Sequence, residues 1–283
     1  MSPTDQLTPT DYAAAAAQIA FCIAGLALLL WLTLSAAGRA RLQVRLAEWR
    51  IPAIDFACFL CFGFAGCVAV SAVAGFTLRH AHLGTDAATL LSPVAVDGGI
   101  LVGLAGFQLM YAGRESAAAG RTDVPLALRT GLATFLIAAP LLFAALWASE
   151  FAMKRMGLPV EKQAVVDMFE GMHSAPMKWG FVVLAATIVP AAEELVFRAG
   201  LFRYFRTRMP RWAAILGTSA LFGAAHVAWG DHMAGLVSLA PLVVLATIYC
   251  LAYERTGSIG TTIVAHSLFN LNMTLLIMAG VGS

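Results

Sequence analysis

Eight stretches dominated by apolar residues, most of them about 20 residues long, set the terms for what this chain can fold into. They run at approximately 13–37, 53–77, 93–112, 130–149, 178–201, 212–230, 233–252 and 257–281. A helix rises 1.5 Å per residue, so about 20 residues cross the roughly 30 Å hydrocarbon layer of a bilayer. Only a helix or a closed barrel satisfies its backbone polar groups there, and runs of this length select the helix. The expected fold is an all-α, polytopic transmembrane bundle of about eight spans. The composition agrees: 60% of residues are hydrophobic and 12% charged, where soluble domains carry about 25% charge. That balance excludes a water-soluble enzyme, a disordered chain and a nucleic-acid binder. The net charge of +2 says little, because the placement of basic residues matters more in a membrane than their sum.

That placement is lopsided. Arg39, Arg41, Arg45 and Arg50 fall between spans one and two, Arg114, Arg121 and Arg129 between three and four, Arg203, Arg206, Arg208 and Arg211 between five and six, and Arg255 between seven and eight. The alternate connections hold Arg79, Lys154, Arg155, Lys162 and Lys178. Twelve against five makes the first set cytoplasmic and turns both termini outward. The first run has Asp5 and Asp11 on its flank and no basic residue. It is also too long for a signal-peptide core, so it is expected to be a retained helix.

Three regions follow: an N-terminal four-helix membrane region at 1–149, an extramembrane connection at 150–177, and a second membrane region at 178–283. In the connection, Val165, Val166, Met168, Phe169 and Met172 recur at helical spacing after Pro159, with Glu161, Lys162, Asp167 and Glu170 among them. They suggest a short amphipathic helix, either resting on the outer interface or folding back on the bundle. The five cysteines (22, 58, 61, 67 and 250) lie inside apolar runs, where a thiol behaves as a small hydrophobe. The Cys58–Cys61 pair has no second pair to complete a zinc site.

Ionisable groups inside a bilayer cost several kcal/mol unless paired or wet, and so mark function. Asp55 and Asp97 lie near the ends of their expected spans, which suits an interfacial role. Span five is different. It contains Pro190-Ala191-Ala192-Glu193-Glu194-Leu195-Val196-Phe197-Arg198. Neighbouring helical residues point about 100° apart, so the two carboxylates serve different roles. Glu194 and Arg198, at i and i+4, suit an ion pair, which leaves Glu193 aimed elsewhere. Pro190 removes a backbone hydrogen bond just before them. Span six carries Phe222-Gly223-Ala224-Ala225-His226, and span eight carries His266-Ser267-Leu268-Phe269-Asn270. Counted from the nearest cytoplasmic arginine, Glu193, His266 and His226 lie roughly 15, 16 and 22 Å deep. The polar groups are therefore expected to form one cluster.

E-E-x-x-x-R, F-x-x-x-H and H-x-x-x-N, in that order on late membrane helices, resemble the CPBP family, the CAAX-prenyl protease and bacteriocin-processing (Abi) group of intramembrane proteases. The resemblance covers about 178–281. It implies hydrolysis of peptide bonds in membrane-associated or lipidated substrates. Glu193 and His226 would activate water, His266 and Asn270 would stabilise the oxyanion, and Glu194, Arg198 and Phe222 would support them. The family's metalloprotease label keeps Zn²⁺ open, with Glu193, His226 and His266 as ligands and Glu194 as base. The Glu194–Arg198 spacing favours the metal-free form. Expected partners are membrane lipid and a protein or peptide substrate, with no nucleic acid, in a bacterial cytoplasmic (inner) membrane. Two other classes compete. A proton-coupled transporter would spread polar residues along a path or repeat them in both halves, and a non-catalytic immunity or scaffolding protein would share the motifs without turnover.

Overall fold

The computed structural model describes residues 8–81, 84–112, 123–158, 164–226 and 232–280. Among them every regular element is a helix, in the order α1 (Pro9–Leu34), α2 (Ala36–Ala40), α3 (Ala53–His80), α4 (Thr85–Met110), α5 (Val124–Arg155), α6 (Ala164–Glu170) and α7 (Ala175–Glu194), then a π-helical stretch (Leu195–Phe202), α8 (Arg203–Arg206), α9 (Arg211–Ala225), α10 (His232–Thr256) and α11 (Ile259–Met278). Seven of these helices are long and apolar enough to cross a membrane, with α7, the π stretch and α8 running on as one.

The helix starts follow their capping residues. Thr8 and Asp11 close a reciprocal capping box with Pro9 at the first helical position, so α1 begins four residues before the expected span. Asp123 caps α5. Asp55 lies in the first turn of α3, as expected of a helix-end role. α3 and α4 form a tight hairpin: a Cβ on Gly66 would strike the Gly99 carbonyl, and one on Gly103 the Phe62 carbonyl. Small residues at such crossings let helix backbones touch where lipid supplies no hydrophobic drive.

At one end, arginines bind the connections together. Glu254, fully buried, pairs with Arg206 at 2.7 Å and with Arg211 at 2.7 Å, tying α8, α9 and α10. Its carbonyl accepts from the Arg45 and Leu46 backbones. Gly257, at φ +65°, closes α10 beside the Arg45 carbonyl, a conformation that favours glycine. Arg114 and Arg121 lie outside the described residues, as do Pro159, Glu161 and Lys162. Of the amphipathic segment, α6 folds back onto α7: Phe169 and Met172 are buried with Phe181 and Val182, and the Phe169 and Phe181 rings meet edge-on at 5.9 Å.

Two expectations need correction. The sixth span, expected at 212–230, is the 15-residue α9, about 22 Å long. It stops at Ala225 with His226 as its cap. α4 begins at Thr85 rather than 93, which moves Asp97 from a helix end to mid-span.

Candidate active site

Pro190 has no N–H to give to the helical ladder, and from Leu195 to Phe202 the same helix widens into a π segment. Such departures from α geometry are frequent at functional sites. The two glutamates stand between them. Glu194 is fully buried and bonds Arg198, also fully buried, through Oε1 at 2.9 Å, as their spacing implies. The same Oε1 lies 2.9 Å from His266 Nδ1.

Arg198 also lies between two rings. Its guanidinium carbon is 4.4 Å from the Phe222 centroid and 5.2 Å from that of Tyr249. Facing aromatic rings supply the attraction that burial takes from its remaining N–H groups. Phe222 also touches the His226 ring at a centroid distance of 4.5 Å, so the motif phenylalanine packs against both the cation and a candidate catalytic imidazole. Tyr249, whose ring lies 5.4 Å from that of His266, belongs to this layer too. Sequence reasoning missed it, because one tyrosine in an apolar run carries no signal.

His226 ends α9 on its own helix. Its Nδ1 is 2.8 Å from the Phe222 carbonyl, which can only accept, so Nδ1 carries the proton and satisfies an orphan carbonyl of the last turn. Nε2 then faces Glu193 Oε1 at 3.3 Å. His266 is arranged the same way. The Arg198-paired Glu194 carboxylate accepts from Nδ1, and Nε2 faces Glu193 Oε2 at 3.8 Å. Glu193 thus stands between two imidazoles, one oxygen toward each, and each ring has its far nitrogen fixed. Side-chain exposure separates their roles: 17% for Glu193 and 32% for His226, against 5% for His266. The Glu193–His226 pair is the more exposed part of the cluster.

Asn270 sits apart from this convergence. It lies one turn along α11 from His266, and its Nδ2 donates to the Ala185 carbonyl of α7 at 2.8 Å. This commits one amide hydrogen to the backbone just before Pro190 and leaves the other free of that contact. Asp97 lies close enough to Glu193 and His226 for the charges of both to act on it, so it belongs to the neighbourhood of the site and not to an interface.

Glu193, His226 and His266 do not make a Zn²⁺ set as they stand. Among the described residues no three His, Cys, Asp or Glu groups are gathered so as to hold a metal ion.

Residues 175–272 match the family model of the type II CAAX prenyl endopeptidases, Rce1-like. This is the CAAX-protease family that the three motifs resemble, and the matched segment contains all seven motif residues from Glu193 to Asn270. No curated protein and no solved structure matches the chain.

Proposed function

We propose that this integral membrane protein is an intramembrane endopeptidase of the CAAX prenyl endopeptidase type, acting on membrane-associated or lipidated proteins and peptides. The observation that carries the reading is the pair of imidazoles, each with Nδ1 pinned, turned toward the two oxygens of one accessible carboxylate.

In the metal-free chemistry this arrangement favours, a water bonded to Glu193 and His226 gives a proton to Glu193 as its oxygen adds to the scissile carbonyl carbon. The carbonyl electron pair moves to oxygen. Collapse of that intermediate breaks the C–N bond, and the departing nitrogen takes the proton from Glu193. His266 already donates Nδ1–H to Glu194, so it can donate to the oxyanion from Nε2 only while both nitrogens are protonated. The second amide hydrogen of Asn270 is the other donor.

The test compares membranes carrying wild-type protein with membranes carrying Glu193→Gln. Products are identified by N-terminal sequencing. New N-termini present with the wild type and absent with the variant support the reading. Identical peptide patterns would leave a scaffold or transporter in its place. A bacterial cytoplasmic membrane is the location we propose.

A further inference from the structure

Asp97 lies twelve residues into α4, about 18 Å from the helix start, where a carboxylate is expensive unless something compensates it. It is half-buried, and among the described residues neither a hydrogen bond nor an ion pair satisfies it. The charged groups near it are of little help. Glu193 has the same sign, and His226 is held by Glu193 and the Phe222 carbonyl.

Its height relative to the site can be read from the packing of α4 on α7. The two helices run side by side in the same direction. Asp86 Oδ2 accepts from the Ser174 N–H at 2.6 Å, and Leu90 meets Gly180. The α7-side partner is numbered 88, then 90, above its α4 neighbour. Asp97 therefore stands level with about residue 187. Glu193 is about six residues further on, roughly 9 Å toward the arginine-rich end. An extended peptide advances about 3.3 Å per residue, so that interval spans two to three residues.

We propose that Asp97 forms an acidic subsite that takes a lysine or arginine side chain of the substrate two or three residues from the bond cleaved at Glu193. This rests on the proteolytic reading for its register. A basic side chain suits the place, since its methylene stem lies along apolar helix surface while its head reaches the carboxylate. The subsite also gives the N-terminal half of the chain, outside the family match, a part in choosing substrate.

The experiment uses the full-length protein in lipid nanodiscs and a set of apolar peptides in which one lysine, or norleucine in its place, is scanned along the sequence. Binding is read with Glu193→Gln and cleavage with the protein carrying Glu193. Lysine two or three residues from the cleaved bond should improve kcat/KM about tenfold over norleucine, through KM, the scale of a partly desolvated charge pair. Asp97→Asn should abolish that ratio, Asp97→Glu should keep most of it, and Asp97→Lys should transfer it to peptides with glutamate at the scanned position. A ratio near one with the unsubstituted protein, or one that survives Asp97→Asn, overturns the proposal. So does an equal loss on lysine and norleucine peptides, which makes Asp97 a partner of Glu193 and His226 instead. If nothing is cleaved but Glu193→Gln still binds lysine peptides in an Asp97-dependent way, the protease reading falls and the cation subsite stands. Without cleavage or preference, both fall.

Discussion

At the scale of single residues, the site depends on a chain of fixed protons: Arg198 holds Glu194, Glu194 holds His266 Nδ1, and the Phe222 carbonyl holds His226 Nδ1. Removing one member of a buried ion pair strands the other, at about 3–5 kcal/mol. Arg198→Met should therefore lower the unfolding temperature in detergent strongly, whereas Glu194→Leu with Arg198→Met should restore much of the lost stability. The double variant should stay inactive, because His266 loses the acceptor that holds its Nδ1–H. Recovery of turnover together with stability would show that the Glu194–Arg198 pair serves packing alone. His266→Ala tests the imidazole itself. Loss of an oxyanion donor should lower kcat by roughly 10²–10³ with little change in KM, and a rise in KM at constant kcat would assign His266 to substrate binding. The Glu194–Arg198 pair was legible in the sequence because i,i+4 spacing fixes a shared face before any tertiary contact forms. Tyr249 was not, since its place against His266 and Arg198 depends on how α10 packs.

At the scale of helices, what the sequence showed and what it hid have a common cause. Hydropathy reports the apolar middle of a span and not its ends. The window over α4 lost Thr85 to Ser92 because Asp86, Thr85, Thr89 and Ser92 dilute it. Asp97 was consequently read at an end, when it lies mid-helix. α9 was overextended for the opposite reason. Val227, Ala228 and Trp229 continue the apolar character past the point where His226 closes the helix, and a C-cap made by an imidazole on the Phe222 carbonyl has no hydropathy signature. Asn270 was legible as polar at i+4 from His266, but not its contact with α7. That contact makes a sharper prediction than the motif does. Interhelical hydrogen bonds in membranes average about 0.6 kcal/mol, so Asn270→Ala should cost little stability. Its effect should fall on kcat if the second amide hydrogen meets the oxyanion. Asn270→Asp separates the two chemistries. A carboxylate beside a forming oxyanion repels it, so activity should be lost in either the presence or absence of zinc. An Asn270→Asp protein revived by added Zn²⁺ would overturn metal-free hydrolysis.

At the scale of the whole molecule, the arginines form a bound layer at one end: Arg206 and Arg211 pair with the buried Glu254, Arg203 bonds the Ala47 carbonyl, and Arg208 bonds the Trp49 and Ile51 carbonyls. Basic residues held this way should mark the side retained in the cytoplasm, since moving them across the bilayer opposes the insertion bias. His226 lies about 22 Å from the start of α9 at that end, past the middle of a roughly 30 Å hydrocarbon layer, so substrate should reach the exposed His226–Glu193 pair from the other face. Both claims are checked by one labelling series in cells whose outer barrier has been opened. A cysteine placed at Ser283 in a background where Cys22, Cys58, Cys61, Cys67 and Cys250 are replaced should react with a membrane-impermeant maleimide added from outside. A cysteine at Arg41 in the same background should react only after the inner membrane is lysed. Labelling at Arg41 from outside, with Ser283 protected, would invert the topology and put the opening to the site on the cytoplasmic face.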